Sequence, residues 1–227
     1  MTTSEPLWLH EEILLLALRD KEGTFASGSR HRHALGGAIL AELMLARRIR
    51  ENPADRKKRV EVLSPKPLSE ALLDEALERI RAARRPASMA TWVGRFASWR
   101  ELPHRIAARL CERGILRADQ RKILLLFRQR IYPEVKPEPE RRLIERLNRA
   151  LLGSGVDLEP RTRTLLSLAY PAGLLQNAFD KQVLKRQRAL FDMVLEREPV
   201  GRAVKEAIEA EAAAAAVAAT CGAVAVM

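Results

Sequence analysis

The stretch WRELPHRIAARLCERGIL, residues 99–116, organises the rest of the chain around it. Its apolar residues recur at helical spacing and form one face of an amphipathic helix: Leu102, Ile106, Leu110 and Cys111. Gly114 is expected to end this helix, because glycine adopts the left-handed conformation that other residues resist. Arginines occupy the other turns beside an indole, and a positively charged helix start of this kind can hold an anion. A strand-like run from Ile123 to Tyr132 follows and predicts a hairpin.

The composition predicts the class of fold. The chain has 227 residues, of which 47% are hydrophobic and 30% are charged, and this suffices for a sizeable core. Aromatic residues make up only 4%, so the core must consist of Leu, Ala, Ile and Val, which favours helices. No internal repeat and no long linker divides the sequence. We therefore predict a mainly α-helical protein with a single domain over residues 1–227.

Two segments predict how the helices pack. Leu7–Leu18 is apolar nearly all round, which is typical of a helix in the centre of a protein. A second helix is predicted over Ala34–Arg47, where Gly36 and Gly37 allow a neighbouring helix to approach closely. The basic run Arg30–His33 is expected to precede this helix as part of a loop.

The C-terminal residues 212–227 are rich in Ala and Val but are short for a bilayer span, which needs about 20 residues. They predict a close-packed core helix rather than an anchor. The N-terminus carries no signal sequence, and the two cysteines make neither a disulfide framework nor a metal motif. These features predict a reduced, cytoplasmic protein.

The sequence contains no zinc pattern, phosphate-binding Gly loop, nucleophile elbow or dinucleotide fingerprint. The four histidines lack a Cys or a carboxylate at ligand spacing, so no metal site is predicted. The adjacent carboxylates Glu11 and Glu12, and Asp74 and Glu75, point in different directions on a helix and are expected to be solvated. We predict a protein that is not an enzyme and needs no cofactor.

Five segments, in this order, together resemble the Golgi phosphoprotein 3 (GPP34) family: EEILLLALRDKEG, LGGAILAELMLARRI, LLDEALERI, LCERGIL and LLQNAF. Each alone is an amphipathic helix, and five in order are much more specific. The resemblance implies a buried central helical bundle, surrounding amphipathic helices and a small β-hairpin. It also implies a peripheral membrane protein, because the eukaryotic members bind phosphatidylinositol 4-phosphate and retain glycosyltransferases in the Golgi. The high Ala and Arg content and the missing basic N-terminal tail suggest a bacterial member.

The resemblance places the lipid headgroup pocket at two points of the chain. The family's Trp falls near Ser27 or Gly28, and its first Arg falls on Gly36, so both are lost here. Two further arginines, three residues apart in the family, map to Arg100 and Pro103. Only one of the four family residues is therefore retained.

Residues close to these positions in sequence predict a replacement basic site for an anionic phospholipid headgroup: Arg100, Arg105, Arg30, Arg32 and His33. The hairpin matches the segment that mediates membrane contact or self-association in the family. The residues predicted to do so here are Phe127, Arg128, Ile131 and Tyr132.

The net charge of +11 leaves three classes of function open. The first is a peripheral protein on the cytoplasmic face of a membrane, with an anionic phospholipid such as a phosphoinositide as its partner. The second is a nucleic-acid-binding helical protein with the hairpin as a wing, although scarce aromatics and scattered basic residues make nucleic acid the weaker candidate. The third is a helical interaction scaffold without a ligand.

Overall fold

The computed structural model describes residues 5–19, 23–25, 28–123, 127–153 and 158–224. Within them the chain forms ten α-helices and three two-stranded antiparallel sheets, which confirms the mainly α-helical prediction. The helices are α1 (Leu9–Ala17), α2 (Arg30–Leu45), α3 (Ala71–Arg81), α4 (Met89–Ala97), α5 (Leu102–Glu112), α6 (Glu138–Leu152), α7 (Pro160–Ala169), α8 (Lys181–Arg186), α9 (Arg188–Arg197) and α10 (Pro199–Val224). The strands are β1 (Leu18–Arg19), β2 (Thr24–Phe25), β3 (Ile49–Glu51), β4 (Val60–Val62), β5 (Asp119–Ile123) and β6 (Phe127–Ile131), and a 3-10 helix covers Leu174–Asn177.

Helix α1 lies in the centre, as its apolar sequence predicted. Every one of its residues is buried, and it contacts α2, α5, α6, α7 and the 3-10 helix. Its first backbone N–H, at Leu9, donates to Glu42 of α2 over 2.6 Å. Because Glu42 lies near the end of α2, the two helices run antiparallel.

Helix α2 packs closely against its neighbours at the two glycines, which confirms the prediction from its small residues. A Cβ atom at Gly36 would lie 2.8 Å from the carbonyl oxygen of Val93 in α4, and one at Gly37 would lie 2.3 Å from the side chain of Val204 in α10. The helix begins at Arg30, four residues earlier than predicted. His31 stacks on Phe25 at 5.6 Å, so a tertiary contact extends the helix into the basic run.

Helix α5 confirms the buried face at Leu102, Ile106 and Leu110, whereas Cys111 is only half-buried. The helix begins at Leu102, not at Trp99. Glu101 has a left-handed conformation, with φ of 62°, and Pro103 lies in the first helical turn, where its missing N–H costs nothing. Gly114 ends the helix with φ of 67°, as predicted.

The predicted hairpin is present, but its first strand begins earlier in the sequence than expected. Strand β5 covers Asp119–Ile123 and pairs with β6, with Asp119 opposite Ile131 and Ile123 opposite Phe127. The predicted first strand ran from Ile123 into residues 124–126, which lie outside the described part of the chain.

One end of the bundle gathers several element termini, and we call it the Trp99 end. There α1 ends, α2 and α5 begin, and the guanidinium of Arg32 donates to the carbonyl of Trp99 over 3.3 Å. The 3-10 helix lies at the same end, because the amide of Asn177 donates to the carbonyl of Leu16 over 2.8 Å. Helix α10 reaches this end at Glu211, which accepts a hydrogen bond from Ser29.

The C-terminal part of α10 corrects the prediction of a close-packed core helix. Residues 212–218 are exposed, and Val217 is 62% exposed, because α10 continues past the start of α2. Among the described helices, none combines the length and the hydrophobicity that crossing a membrane requires.

Candidate functional site

Three arginines, two within α5 and one directly after it, lie on one side of the helix because they are four residues apart. Each one pairs with a carboxylate of the same chain: Arg105 with Glu75, Arg109 with Glu70 and Arg113 with Glu11. The sequence predicted that this basic helix can hold an anion. In the folded protein, carboxylates of the same chain occupy these arginines. These three guanidinium groups are therefore already engaged.

The pairing becomes more buried along the helix. Glu75 and Arg105 are partly exposed, with a contact of 2.7 Å. Glu70 is buried, caps the start of α3 by accepting from the N–H of Leu73 over 2.7 Å, and lies 3.6 Å from Arg109. Glu11 is fully buried and accepts from Arg113 and from the N–H of Trp8.

Helix α1 begins in a buried network of charges, which corrects the prediction that Glu11 and Glu12 are solvated. Glu12 pairs with Arg146 over 2.8 Å, and burial raises the pKa of its carboxyl group. Glu42 pairs with Arg161 over 2.7 Å. The partners of Glu11, Glu12 and Glu42 come from three other elements, the end of α5, α6 and α7, so no local pattern could have shown them.

Two buried histidines make stability depend on pH. Burial, together with the nearby charges of Arg109, Arg161 and Arg113, lowers the pKa of His10 to about 3. Burial likewise lowers the pKa of His31 to about 4. A histidine in the unfolded chain has a pKa near 6.5. Below that pH the unfolded chain therefore binds protons that these two histidines do not bind in the folded protein. We expect the free energy of unfolding to be level above pH 7 and to fall as the pH falls towards 4.

Urea unfolding between pH 8 and pH 5 measures this effect. His10 alone is expected to cost on the order of 2 kcal/mol between pH 7 and pH 5. His10→Met fills the same space with an apolar side chain that does not titrate. It should reduce the change in the free energy of unfolding between pH 7 and pH 5 by that amount. A wild-type stability that stays constant down to pH 5 would contradict the burial of these rings in neutral form.

A second group of residues surrounds Trp99, and we call it the Trp99 cluster: Arg32, Glu75, Arg79, Trp99 and Arg105. The guanidinium groups of Arg79 and Arg105 lie 4.6 Å and 5.1 Å from the centre of the indole ring. Both arginines also bind Glu75. Sequence reasoning missed Glu75 and Arg79, because they are on α3 and meet Trp99 only in the folded protein.

The structure separates the five predicted headgroup residues. Arg32 and Arg105 come together at Trp99, next to Arg100 in the chain. Arg30 and Arg100 are exposed, and neither side chain has a hydrogen-bond or ion-pair partner within the described residues. His33 is buried, with its Nδ1 3.3 Å from the carbonyl oxygen of Ser29, so it does not contribute to an open site.

Two of the family's other pocket positions, Gly36 and Pro103, are closed here. Gly36 faces the backbone of α4 and Pro103 is buried, so neither position has room for an arginine. Gly28 is exposed, with φ of 99°, whereas Ser27 lies outside the described residues. A headgroup site at this end must therefore use residues other than the family's four, apart from Arg100.

The hairpin residues also differ from expectation. Tyr132 was predicted to face a membrane or a second copy, but it is only 5% exposed because it packs on Phe25 and its hydroxyl lies 2.8 Å from Nδ1 of His104. Arg128 is exposed and Ile131 is half-buried. The side chain of Phe127 lies outside the described part of the structure.

Among the described residues, no three His, Cys, Asp or Glu side chains come together as a metal site requires. The basic character of the Trp99 end is clear from its charges. Among the described residues, its charged side chains around Trp99 and the start of α2 include arginines 30, 32, 79, 100, 105 and 130 and the carboxylates of Glu75, Glu101 and Glu211. Its chemistry is that of a surface that attracts anions.

The fold and this site together define a mainly helical domain with a buried central helix, a β-hairpin and a basic end. The chain belongs to the Golgi phosphoprotein 3 (GPP34) family, whose model matches residues 9–211. It is similar to the vacuolar protein sorting-associated protein 74 of Schizosaccharomyces pombe, with 29% identity over 223 residues. That alignment covers 83% of this chain and 65% of the relative, so the chain spans about two-thirds of the relative's length.

Proposed function

We propose that this protein is a peripheral membrane protein without catalytic activity that binds an anionic phospholipid headgroup at its Trp99 end, on the cytoplasmic face of a membrane. The observation that carries the proposal is the pair Arg30 and Arg100. Both are exposed at this end and have no partner within the described residues. Guanidinium groups suit phosphate, because their N–H groups match its oxygen atoms.

The partly buried guanidinium group of Arg32 supports the same proposal. Its side chain is half-buried against the Trp99 carbonyl, and its Nε has no hydrogen-bond partner within the described residues. A phosphate held at Arg100 would also be attracted by the charge of Arg32, and Arg30, at the start of α2, adds to the positive charge of this end. Arg105 and Arg79 contribute less, because Glu75 already neutralises part of their charge.

The nucleic-acid alternative is weakened by the same geometry. A recognition helix must present its basic residues outward, whereas Arg105, Arg109 and Arg113 of α5 face carboxylates of their own chain. The hairpin retains exposed charge at Arg128, and we propose that it adds electrostatic attraction to the membrane.

Replacing Arg30 and Arg100 together by alanine should weaken binding to anionic vesicles about tenfold to thirtyfold. Each basic residue near an anionic surface contributes about 1 kcal/mol, and added salt reduces this contribution. Co-sedimentation measures binding to neutral vesicles and to vesicles with phosphatidylglycerol or phosphatidylinositol 4-phosphate. The bacterial origin stays a prediction, so both lipids are needed.

The matched control is Arg149→Ala with Arg197→Ala. These exposed arginines are on α6 and α9, near the opposite end of the bundle, and their loss removes the same net charge. If both double variants lose binding equally, the protein binds membranes through its overall positive charge, and the headgroup site at Arg30 and Arg100 is refuted. If the wild type binds no anionic vesicle, the membrane function itself is wrong.

A further inference from the structure

A second concave site lies at the Trp99 end, apart from the Trp99 cluster. It is a pocket of about 270 Å³ between the 3-10 helix, α8 and the start of α9. The amide of Asn177, in that 3-10 helix, donates to Leu16 at the end of α1, and this contact fixes the location of the pocket. It therefore lies at the end of the bundle that we propose faces the membrane.

The floor of the pocket is apolar. Leu175 is 1% exposed, and Leu184 of α8 is half-buried beside it. Tyr170 stacks on Phe191 with ring centres 4.0 Å apart, so its other face or its ring edge lines the pocket. This floor suits a methylene chain or a flat apolar group.

Every charged group in the lining is positive. Lys181, Lys185 and Arg188 line the pocket, and no carboxylate does. The two lysines are exposed and have no ion-pair partner within the described residues. Arg188 lies 4.0 Å from Asp192, but both side chains are largely exposed, and such a pair contributes little.

We propose that this pocket binds a phosphate ester that carries an apolar group, and that its occupant on a membrane is one anionic phospholipid. The phosphate contacts Lys181, Lys185 and Arg188, and the adjoining apolar part lies over Tyr170 and Leu184. The pocket is slightly smaller than the usual range for small-molecule sites, so it holds the region around the phosphate and leaves the rest of the acyl chains outside.

The pocket and the proposed headgroup site at Arg30 and Arg100 would then bind the same membrane surface together. Two linked sites bind more tightly than either alone, because the second binding event is intramolecular. The proposal rests on the proposed function only for the membrane as the source of the lipid. Binding of a soluble short-chain lipid tests the pocket by itself.

The experiment titrates dihexanoyl phosphatidic acid, below its micelle concentration, into the full chain by calorimetry. Lys185→Ala should raise the Kd at least fivefold, and Lys185→Ala with Arg188→Ala should remove measurable binding. The matched control is Arg186→Ala, which removes one charge from the same helix at a residue outside the lining and should change the Kd less than twofold. Unchanged melting temperatures show that the variants fold.

Two further ligands test whether the pocket binds a lipid or free phosphate, and whether its apolar floor contributes to binding. Inorganic phosphate should bind at least tenfold more weakly than the lipid, and dihexanoyl phosphatidylcholine should not compete. Phosphate binding as tight as that of the lipid would overturn the apolar part of the site. Equal losses in Lys185→Ala and Arg186→Ala, or no binding of the lipid, would overturn the pocket.

The two proposals fail in different ways. Vesicle binding that depends on Arg30 and Arg100, without short-chain lipid binding at Lys185, refutes the pocket alone. Short-chain lipid binding that depends on Lys185, without vesicle binding by the wild type, supports the pocket and refutes the membrane function.

Discussion

Replacing Gly36 by arginine should destabilise the protein by several kcal/mol instead of restoring the headgroup site that the family resemblance places there. A Cβ atom at this position would lie 2.8 Å from the carbonyl oxygen of Val93 and 3.2 Å from the backbone nitrogen of Ala97. These are backbone atoms of α4, so relief requires α2 and α4 to separate. Overpacking of this kind costs about 1–3 kcal/mol, and a buried unpaired guanidinium adds to it.

Urea unfolding compares Gly36→Arg with Gly94→Arg. Gly94 lies on α4, the helix that Gly36 of α2 contacts, but a Cβ atom at Gly94 would have no neighbour within 4 Å. The control should be neutral or slightly stabilising, because glycine inside a helix costs roughly 1 kcal/mol relative to other residues. A Gly36→Arg protein with wild-type stability and a gain in phosphoinositide binding would show that the contact between α2 and α4 is not as described.

Replacing Arg113 by alanine should lower the free energy of unfolding by about 3–5 kcal/mol at pH 7, because it leaves a buried charge without its partner. Glu11 is 0% exposed, and Arg113 is its ion-pair partner. Arg113 also donates to the backbone carbonyl of Glu5, so the variant loses that contact as well. Urea unfolding with an unchanged m-value measures the loss.

Arg105→Ala is the internal comparison, because Arg105 is eight residues earlier on the same helix and pairs with a carboxylate that is partly exposed. It should cost about 1 kcal/mol or less. Adding Glu11→Gln to Arg113→Ala should recover part of the stability, since the unpaired charge is then removed. Equal costs for Arg105→Ala and Arg113→Ala would refute the buried network at the start of α1.

The sequence predicted the features that depend on a few neighbouring residues. Helical periodicity placed Leu102, Ile106 and Leu110 in the core, and a segment that is apolar nearly all round placed α1 in the centre. Gly114 ends its helix because its own conformational freedom decides that point. The close approach at Gly36 and Gly37 followed from the size of the residues alone.

The candidate site depends on contacts that no sequence pattern contains. The sequence identified Arg100, Arg30 and Arg32 as basic residues near this end, but it did not show that Glu75 pairs with Arg105 or that His33 and Tyr132 are buried. It also missed the pocket at Lys185, whose floor and rim come from three separate elements.

The sequence by itself therefore determined the helices, their buried faces and the excess of positive charge. Only the tertiary structure decided which of those charges are free. Helix formation depends on residues three or four apart, whereas the partner of a charge depends on the whole fold. Arg113 and Glu11 are 102 positions apart, and their pairing exists only because α5 and α1 lie side by side.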